Sequence, residues 1–175
     1  MVANPAVDPG AVLLSIYGDA VVEVHGYLHA RCRNRDVAED LTSEVFMGAV
    51  DGIRRRPATD VTTAWLIGIA RHKLVDHWRR NEREQRRLRA VADDPMQDSP
   101  ADPWDVELDA LTAQDALERL GAHHRAALTL RYLDGLPVRE VATVLERTED
   151  ATEALLVRAK RAFRVAYGST EGSVS

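Results

Sequence analysis

Between Arg71 and Arg89 the sequence sets eight bases, Arg71, Lys73, Arg79, Arg80, Arg83, Arg86, Arg87 and Arg89, against Asp76, Glu82 and Glu84, a local balance of about +5. Guanidinium groups bridge phosphate oxygens with two parallel hydrogen bonds. Trp65 and Trp78 lie in the same stretch, and an exposed aromatic ring stacks on an unpaired base for about 1–3 kcal/mol. This is the chemistry of nucleic-acid contact. If six phosphates were neutralised, log affinity would fall with log salt at a slope of about −5. For Trp78, packing in the core is the preferred reading. A second basic cluster, Arg158, Lys160, Arg161 and Arg164, falls near the other end of the chain.

Other chemistries find less support. His25, His29 and Cys32 have a spacing that can bring three ligands to one side of a helix, but a fourth is not evident. Half-buried histidines are the simpler explanation, so no metal site and no cofactor are expected. His123-His124 reads as a loop or helix start. The sequence holds no phosphate-cradling glycine-rich loop, no Gly-x-Ser-x-Gly elbow and no His-Glu-x-x-His. No catalytic residue is assigned, and an enzyme is not expected.

The elements that must position the basic clusters all read as helices. Leu13, Ile16, Ala20, Val24 and Leu28 recur at three- and four-residue spacing, one buried face of a first helix. Asp36 is placed to cap a second, with Glu39 reaching back, and Leu41, Val45, Val50 and Ile53 continue it. A third opens near Thr62 and turns Leu66, Ile67, Ala70, Leu74 and Trp78 inward, leaving His72, Asp76, Arg79, Arg83 and Arg86 on one outer face. Helical periodicity returns over Val106 to Leu120 and His123 to Leu133. Asp134-Gly135 breaks the chain, Pro137 suits the first turn of a short helix ending near Leu145, and Thr148 caps a last helix to about Tyr167. A short helix, a tight connection and a longer helix with a basic end form a helix-turn-helix candidate. Strand signals are absent, so the fold class is all-α.

Charge divides the chain further. Asp93 to Glu118 holds nine acids and no base. Residues 92–105, with Pro95, Pro100 and Pro103, read as an acidic linker between two small domains, 11–91 and 106–167. Residues 1–10 and 168–175 are expected to be disordered. The whole chain, 175 residues, carries a net charge of −5, which by itself argues against nucleic acid as a partner. Lone Cys32 permits no internal disulfide and fits a reducing compartment. The first base is Arg31, so no secretory leader is expected, and no apolar run approaches the roughly 18 residues of a membrane span. A cytoplasmic protein without membrane insertion is the expectation.

Two stretches carry a resemblance. Asp36-Val37-Ala38-Glu39-Asp40-Leu41-Thr42-Ser43-Glu44-Val45-Phe46, followed by Ala64-Trp65-Leu66-Ile67-Gly68-Ile69-Ala70-Arg71-His72-Lys73-Leu74-Val75-Asp76-His77-Trp78-Arg79-Arg80, resembles region two of bacterial sigma factors. Arg125-Ala126-Ala127-Leu128-Thr129-Leu130-Arg131-Tyr132-Leu133-Asp134-Gly135-Leu136-Pro137-Val138-Arg139-Glu140-Val141-Ala142 resembles region four. Two such regions joined by a short linker look like the extracytoplasmic-function (ECF) group.

The resemblance implies a factor that binds core RNA polymerase, directs it to promoter DNA, helps to melt it, and is held in check by an anti-sigma factor. Asp40, Leu41, Glu44, Val45 and Phe46 would dock on the polymerase clamp. Trp65, Arg71, Lys73, Asp76, Arg79, Arg80 and Arg83 would face the promoter as it opens. Glu153, Arg158, Lys160 and Arg161 would meet a more distant duplex element, and the helix around Leu128 to Leu133 the polymerase flap. The linker's carboxylates can imitate nucleic acid near the RNA exit path, or simply be solvated. His72 departs from the usual Asn, Glu146 from a turn Gly, Glu153 and Leu155 from basic residues, and Gly121 from a Pro. The alternatives are a stand-alone helix-turn-helix regulator binding operators without polymerase, and a helical adaptor.

Overall fold

The computed structural model describes residues 8–56, 60–88 and 110–171, and these are helical without any strand among them. By packing, the chain divides into Met1–Asp76 and His77–Ser175. The proposed linker 92–105 lies outside the described residues.

In the first unit, α1 (Pro9–Cys32) packs along α2 (Arg35–Arg55), and α3 (Thr63–Leu88) contributes its first half. Asp8 caps α1 by accepting from the Gly10 amide, and Pro9 enters the first turn, where its missing N–H costs nothing. Residues 9 and 10 are thus helical, contrary to the expectation for the terminus. Arg33 takes a left-handed conformation (φ 51°) that ends α1, and Asn34 Oδ1 then accepts from the Val37 amide. Asn34, two residues before the expected Asp36, is the cap of α2. Glu39 does not reach back to Asp36 but pairs with Arg35 at 2.7 Å, which holds the Glu39 carboxyl below its ordinary value.

Leu13, Ala20, Val24 and Leu28 of α1, Ala38, Leu41, Val45 and Ala49 of α2, and Leu66, Ala70 and Leu74 of α3 are buried. Val50, expected inside, is exposed, and Ala49 takes its place. Gly52 makes room for α3, since an added Cβ there would lie 3.3 Å from the Trp65 ring, whereas at Gly48 it would make an ordinary contact 3.6 Å from Ile69. Helix α3 opens near Thr62 as expected, and Thr62 Oγ1 caps it by accepting from the Trp65 amide. By length and composition alone α1 is long and apolar enough to cross a membrane, a criterion that core helices also meet, and its Leu13, Ala20, Val24 and Leu28 are buried within the unit.

The second unit holds the second half of α3, then α4 (Ala110–Arg119), α5 (Ala122–Leu128), α6 (Val138–Leu145) and α7 (Glu149–Glu171). Helix α7 is the hub and packs on α4, α5 and α6. The helix begun by α5 does not stay regular to Leu133. Over Thr129–Leu133 it widens into a π turn, with the Asp134 amide donating to the Thr129 carbonyl five residues back. Arg131 Nη1 donates to the Leu136 carbonyl at 2.9 Å, across the turn in which Gly135 supplies φ 69°. Pro137 stands just before α6, one position earlier than expected. Thr148 Oγ1 accepts from the Ala151 amide and caps α7, which continues through Gly168 to Glu171 rather than ending at Tyr167.

Candidate nucleic-acid interface

Helix α3 separates its faces by the register of its apolar residues. Leu66, Ala70, Leu74, Val75 and Trp78 are buried, which turns His72, Asp76, Arg80, Arg83 and Arg87 outward. His77, Arg80, Asn81, Arg83, Glu84, Arg86 and Arg87 border one open surface. Arg87 was not among the assigned contacts, although it follows Arg83 by one turn of the same face. Arg86 pairs with Glu82 at 3.0 Å, an exposed guanidinium tethered to its own helix.

The assigned residues divide sharply by environment. Lys73 does not point at solvent alone: its Nζ lies 3.3 Å from Glu44 Oε2 on α2, so one expected DNA contact and one expected polymerase contact hold each other. Arg71 is half-buried and Asp76 exposed. Trp65 is half-buried against Gly52, which makes it a packing residue with a limited open face. Trp78 is 6% exposed and has the Arg125 guanidinium 4.5 Å from its ring centre, in agreement with a core role. Arg79 departs most from expectation: it is half-buried, and its Nη2 donates to the Leu145 carbonyl at 3.0 Å.

Among the expected polymerase contacts, Leu41 is 2% exposed and Val45 fully buried. They present almost no surface of their own. Asp40 is exposed, Glu44 and Phe46 are half-buried, and Phe46 meets Tyr17 edge to face at 4.9 Å between ring centres. That pair sits beside exposed Met47 and Val50 on α2.

In the second unit, the buried face of α7 consists of Thr152, Leu155, Leu156, Ala159, Ala162 and Phe163. Leu155, where the family pattern has a basic residue, is thereby explained as core. Glu153, Arg158 and Arg161 are exposed on the opposite side, and Ala154 and Val157 share it. Charge alone could not reveal these two apolar positions, but their spacing from Asp150 could. Lys160 is half-buried, with its Nζ 5.2 Å from the centre of the Tyr132 ring. Tyr132 and Leu133, 45% and 56% exposed, project from the π turn.

A Cβ at Gly121 would stand 2.9 Å from Glu82 Oε1, the far end of a flexible side chain that can swing aside, so this contact does not by itself require glycine. Glu82 sits where α5 begins, a start that has no side-chain cap of its own. Burial pushes the His123 and His124 imidazoles below the ordinary histidine range, and neighbouring Arg147 and Arg158 respectively act the same way. His25 and His29 stack with ring centres 5.9 Å apart, and no group of three His, Cys, Asp or Glu that could hold a metal occurs among the described residues.

Comparison with known proteins agrees on one family. Residues 17–84 match Sigma-70 region 2, and residues 110–163 match Sigma-70, region 4. The ECF RNA polymerase sigma factor SigL of Mycobacterium tuberculosis (strain H37Rv) is 30% identical over 175 residues, covering 94% of this chain and 93% of SigL. BldN, an ECF RNA polymerase sigma factor of Streptomyces coelicolor, is 34% identical over 145 residues, covering 79% of this chain; the chain spans about half, 53%, of its length. In fold, the sigma factor RpoE of Bartonella quintana, solved with the anti-sigma factor NepR, superposes with a TM-score of 0.55 at 21% identity, covering 90% of this chain and 94% of that one.

Proposed function

This chain belongs to the ECF group of the sigma-70 family, and from that membership we propose how its residues divide the work of a promoter-specificity factor. As an RNA polymerase sigma factor it binds core polymerase and directs initiation at promoter DNA. It acts in the cytoplasm, where polymerase is, and has no catalytic activity of its own.

Asp40, Glu44 and Phe46, with Leu41 and Val45 beneath them, form the polymerase-docking surface. Arg80 and Arg83 meet the phosphates of the opening promoter, Arg71 and Asp76 lie along the same helix, and Trp65, Lys73 and Arg79 hold that helix in place while adding what exposed surface they retain. Tyr132 and Leu133 form an apolar contact for the polymerase flap. Helix α7, through Glu153, Arg158, Lys160 and Arg161, meets the distant element as duplex, bases specifying and phosphates positioning. An anti-sigma factor is the proposed inhibitor. The domain division at 11–91 and 106–167 accompanies this assignment.

The observation that carries the reading is the outward register of α3: its apolar residues are buried while Arg80, Arg83 and Arg87 face out together. A solvated helix needs no such one-sided excess of base. Duplex binding by the chain alone should be weak, because Glu149, Asp150 and Glu153 open α7 and repel phosphate. The test is to mix the purified chain with sigma-free core polymerase and a promoter library. Specific run-off transcripts and co-elution with core are expected; absence of both would overturn the assignment.

A further inference from the structure

Six residues of α7, Asp150, Glu153, Ala154, Val157, Arg158 and Arg161, occupy one side at offsets of three, four, seven, eight and eleven, and all six are exposed. The opposite side is packed into the unit. Along this face the chemistry is ordered: acid in the first turn, then Ala154 and Val157, then arginines. Val157 is 52% exposed on that face. Each class of group has a different complement in a major groove.

A carboxylate accepts hydrogen bonds and donates none. The only base-edge donors in the major groove are the amino groups of cytosine and adenine, and adenine sets its acceptor N7 beside the amino group, where a carboxylate is repelled. Cytosine is therefore the partner for Glu153. The apolar feature of the groove is the C5 methyl of thymine, and it complements a methyl or isopropyl side chain. Arginines one to two turns further on meet backbone phosphate.

We propose that Ala154 and Val157 are specificity-determining residues which read thymine methyl groups beside a cytosine held by Glu153. Helical rise separates Glu153 from Val157 by about 6 Å, so the thymine under Val157 lies roughly two base pairs from the cytosine at about 3.4 Å per pair. The proposal rests on the promoter-binding reading above and adds to it the bases read and two residues not chosen by charge.

The test selects transcribed promoters from a randomised duplex library with holoenzyme assembled from this chain and core polymerase. An upstream element with cytosine and thymine about two pairs apart on one strand is expected. Glu153→Gln should move the preference at the cytosine position to adenine, which an amide recognises with two bonds. Deoxyuridine in place of that thymine removes only the methyl and should weaken the wild-type holoenzyme about fourfold, a discrimination that Val157→Ser should lose. All substituted side chains are exposed, so folding is not at stake. Selection of the same element by wild type and Glu153→Gln, or indifference of the wild type to deoxyuridine, would overturn the base assignment alone. No transcripts from any member and no co-elution with core would overturn the sigma reading, and the base assignment with it.

Discussion

Arg79 Nη2 donates to the carbonyl oxygen of Leu145 at 3.0 Å, joining positions 66 residues apart. Leu145 ends α6, so its carbonyl is one of the acceptors a helix leaves unfilled, and a cation there also complements the negative end of the helix dipole. Arg80, the next residue, is exposed on α3. Two adjacent arginines that look equivalent in the sequence therefore do different things. Arg79→Ala should lower the unfolding free energy by roughly 1–2 kcal/mol, the range for a charged hydrogen bond reduced for partial exposure, whereas Arg80→Ala should stay within about 0.5 kcal/mol. In holoenzyme, Arg80→Ala should reduce permanganate reactivity of unpaired promoter thymines while co-elution with core persists. Urea midpoints read the first contrast, and an unchanged midpoint for Arg79→Ala would refute its structural role.

Glu146 closes α6 at φ 55°, a left-handed conformation in which its amide donates to Ala142 and Thr143 and the Arg147 amide to Ala142. An L side chain pays roughly 1–2 kcal/mol there, while glycine costs about 0.5–1 kcal/mol in chain entropy. Glu146→Gly should therefore raise stability by roughly 0.5–1 kcal/mol. Thermal or urea unfolding reads this, and destabilisation would show that the Glu146 side chain makes a compensating contact.

What the sequence made legible is local. Thr148 was readable as a cap because the amide it accepts from lies three residues on, and the start of α3 near Thr62 was readable from its apolar periodicity. At α2 the reading failed, since Asp36 and Glu39 fit a capping spacing while the real cap, Asn34, is selected by the left-handed exit of Arg33 from α1. The family motif marked Leu41 and Val45 without distinguishing residues that make a surface from those beneath it. Arg79 was visible as charge, but its partner is set by tertiary packing. The π turn was not legible either, because Thr129 to Leu133 has ordinary helical periodicity and the widening depends on how Asp134 and Leu136 close the turn.

Glycines in α1 and α2 should respond differently to the same substitution. An added Cβ at Gly18 meets nothing within 4 Å, whereas at Gly52 it would lie 3.3 Å from Trp65 Cζ2. In a helix interior, alanine is favoured over glycine by about 0.8–1 kcal/mol. Gly18→Ala should realise that gain. Gly52→Ala should fall clearly short of it or destabilise, because the indole packed on α2 must shift. Unfolding midpoints of the two variants check the difference, and equal gains would mean that Trp65 yields without cost.

The pair His123-His124 at the start of α5 should give the second unit an acid limit. For His123 the largest influence is burial, followed by Arg147, Arg79 and Arg86, with Glu82 opposing; for His124 it is burial, then Arg158 and His123, with Glu82 again opposing. In both imidazoles the net effect is a folded-state pKa below the ordinary 6.5. The unfolded chain therefore takes up these protons first as pH falls, so the two groups have no effect on stability well above 6.5 and reduce it as pH drops through 6.5 toward the lowered folded values. Glu39, also lowered, acts through its carboxyl in a more acidic window near the ordinary 4.5. The urea midpoint should thus be lower at about pH 5.5 than at about pH 7.5, and replacing both histidines by Gln should flatten that slope. Equal slopes in wild type and the double variant would assign the acid sensitivity to other groups.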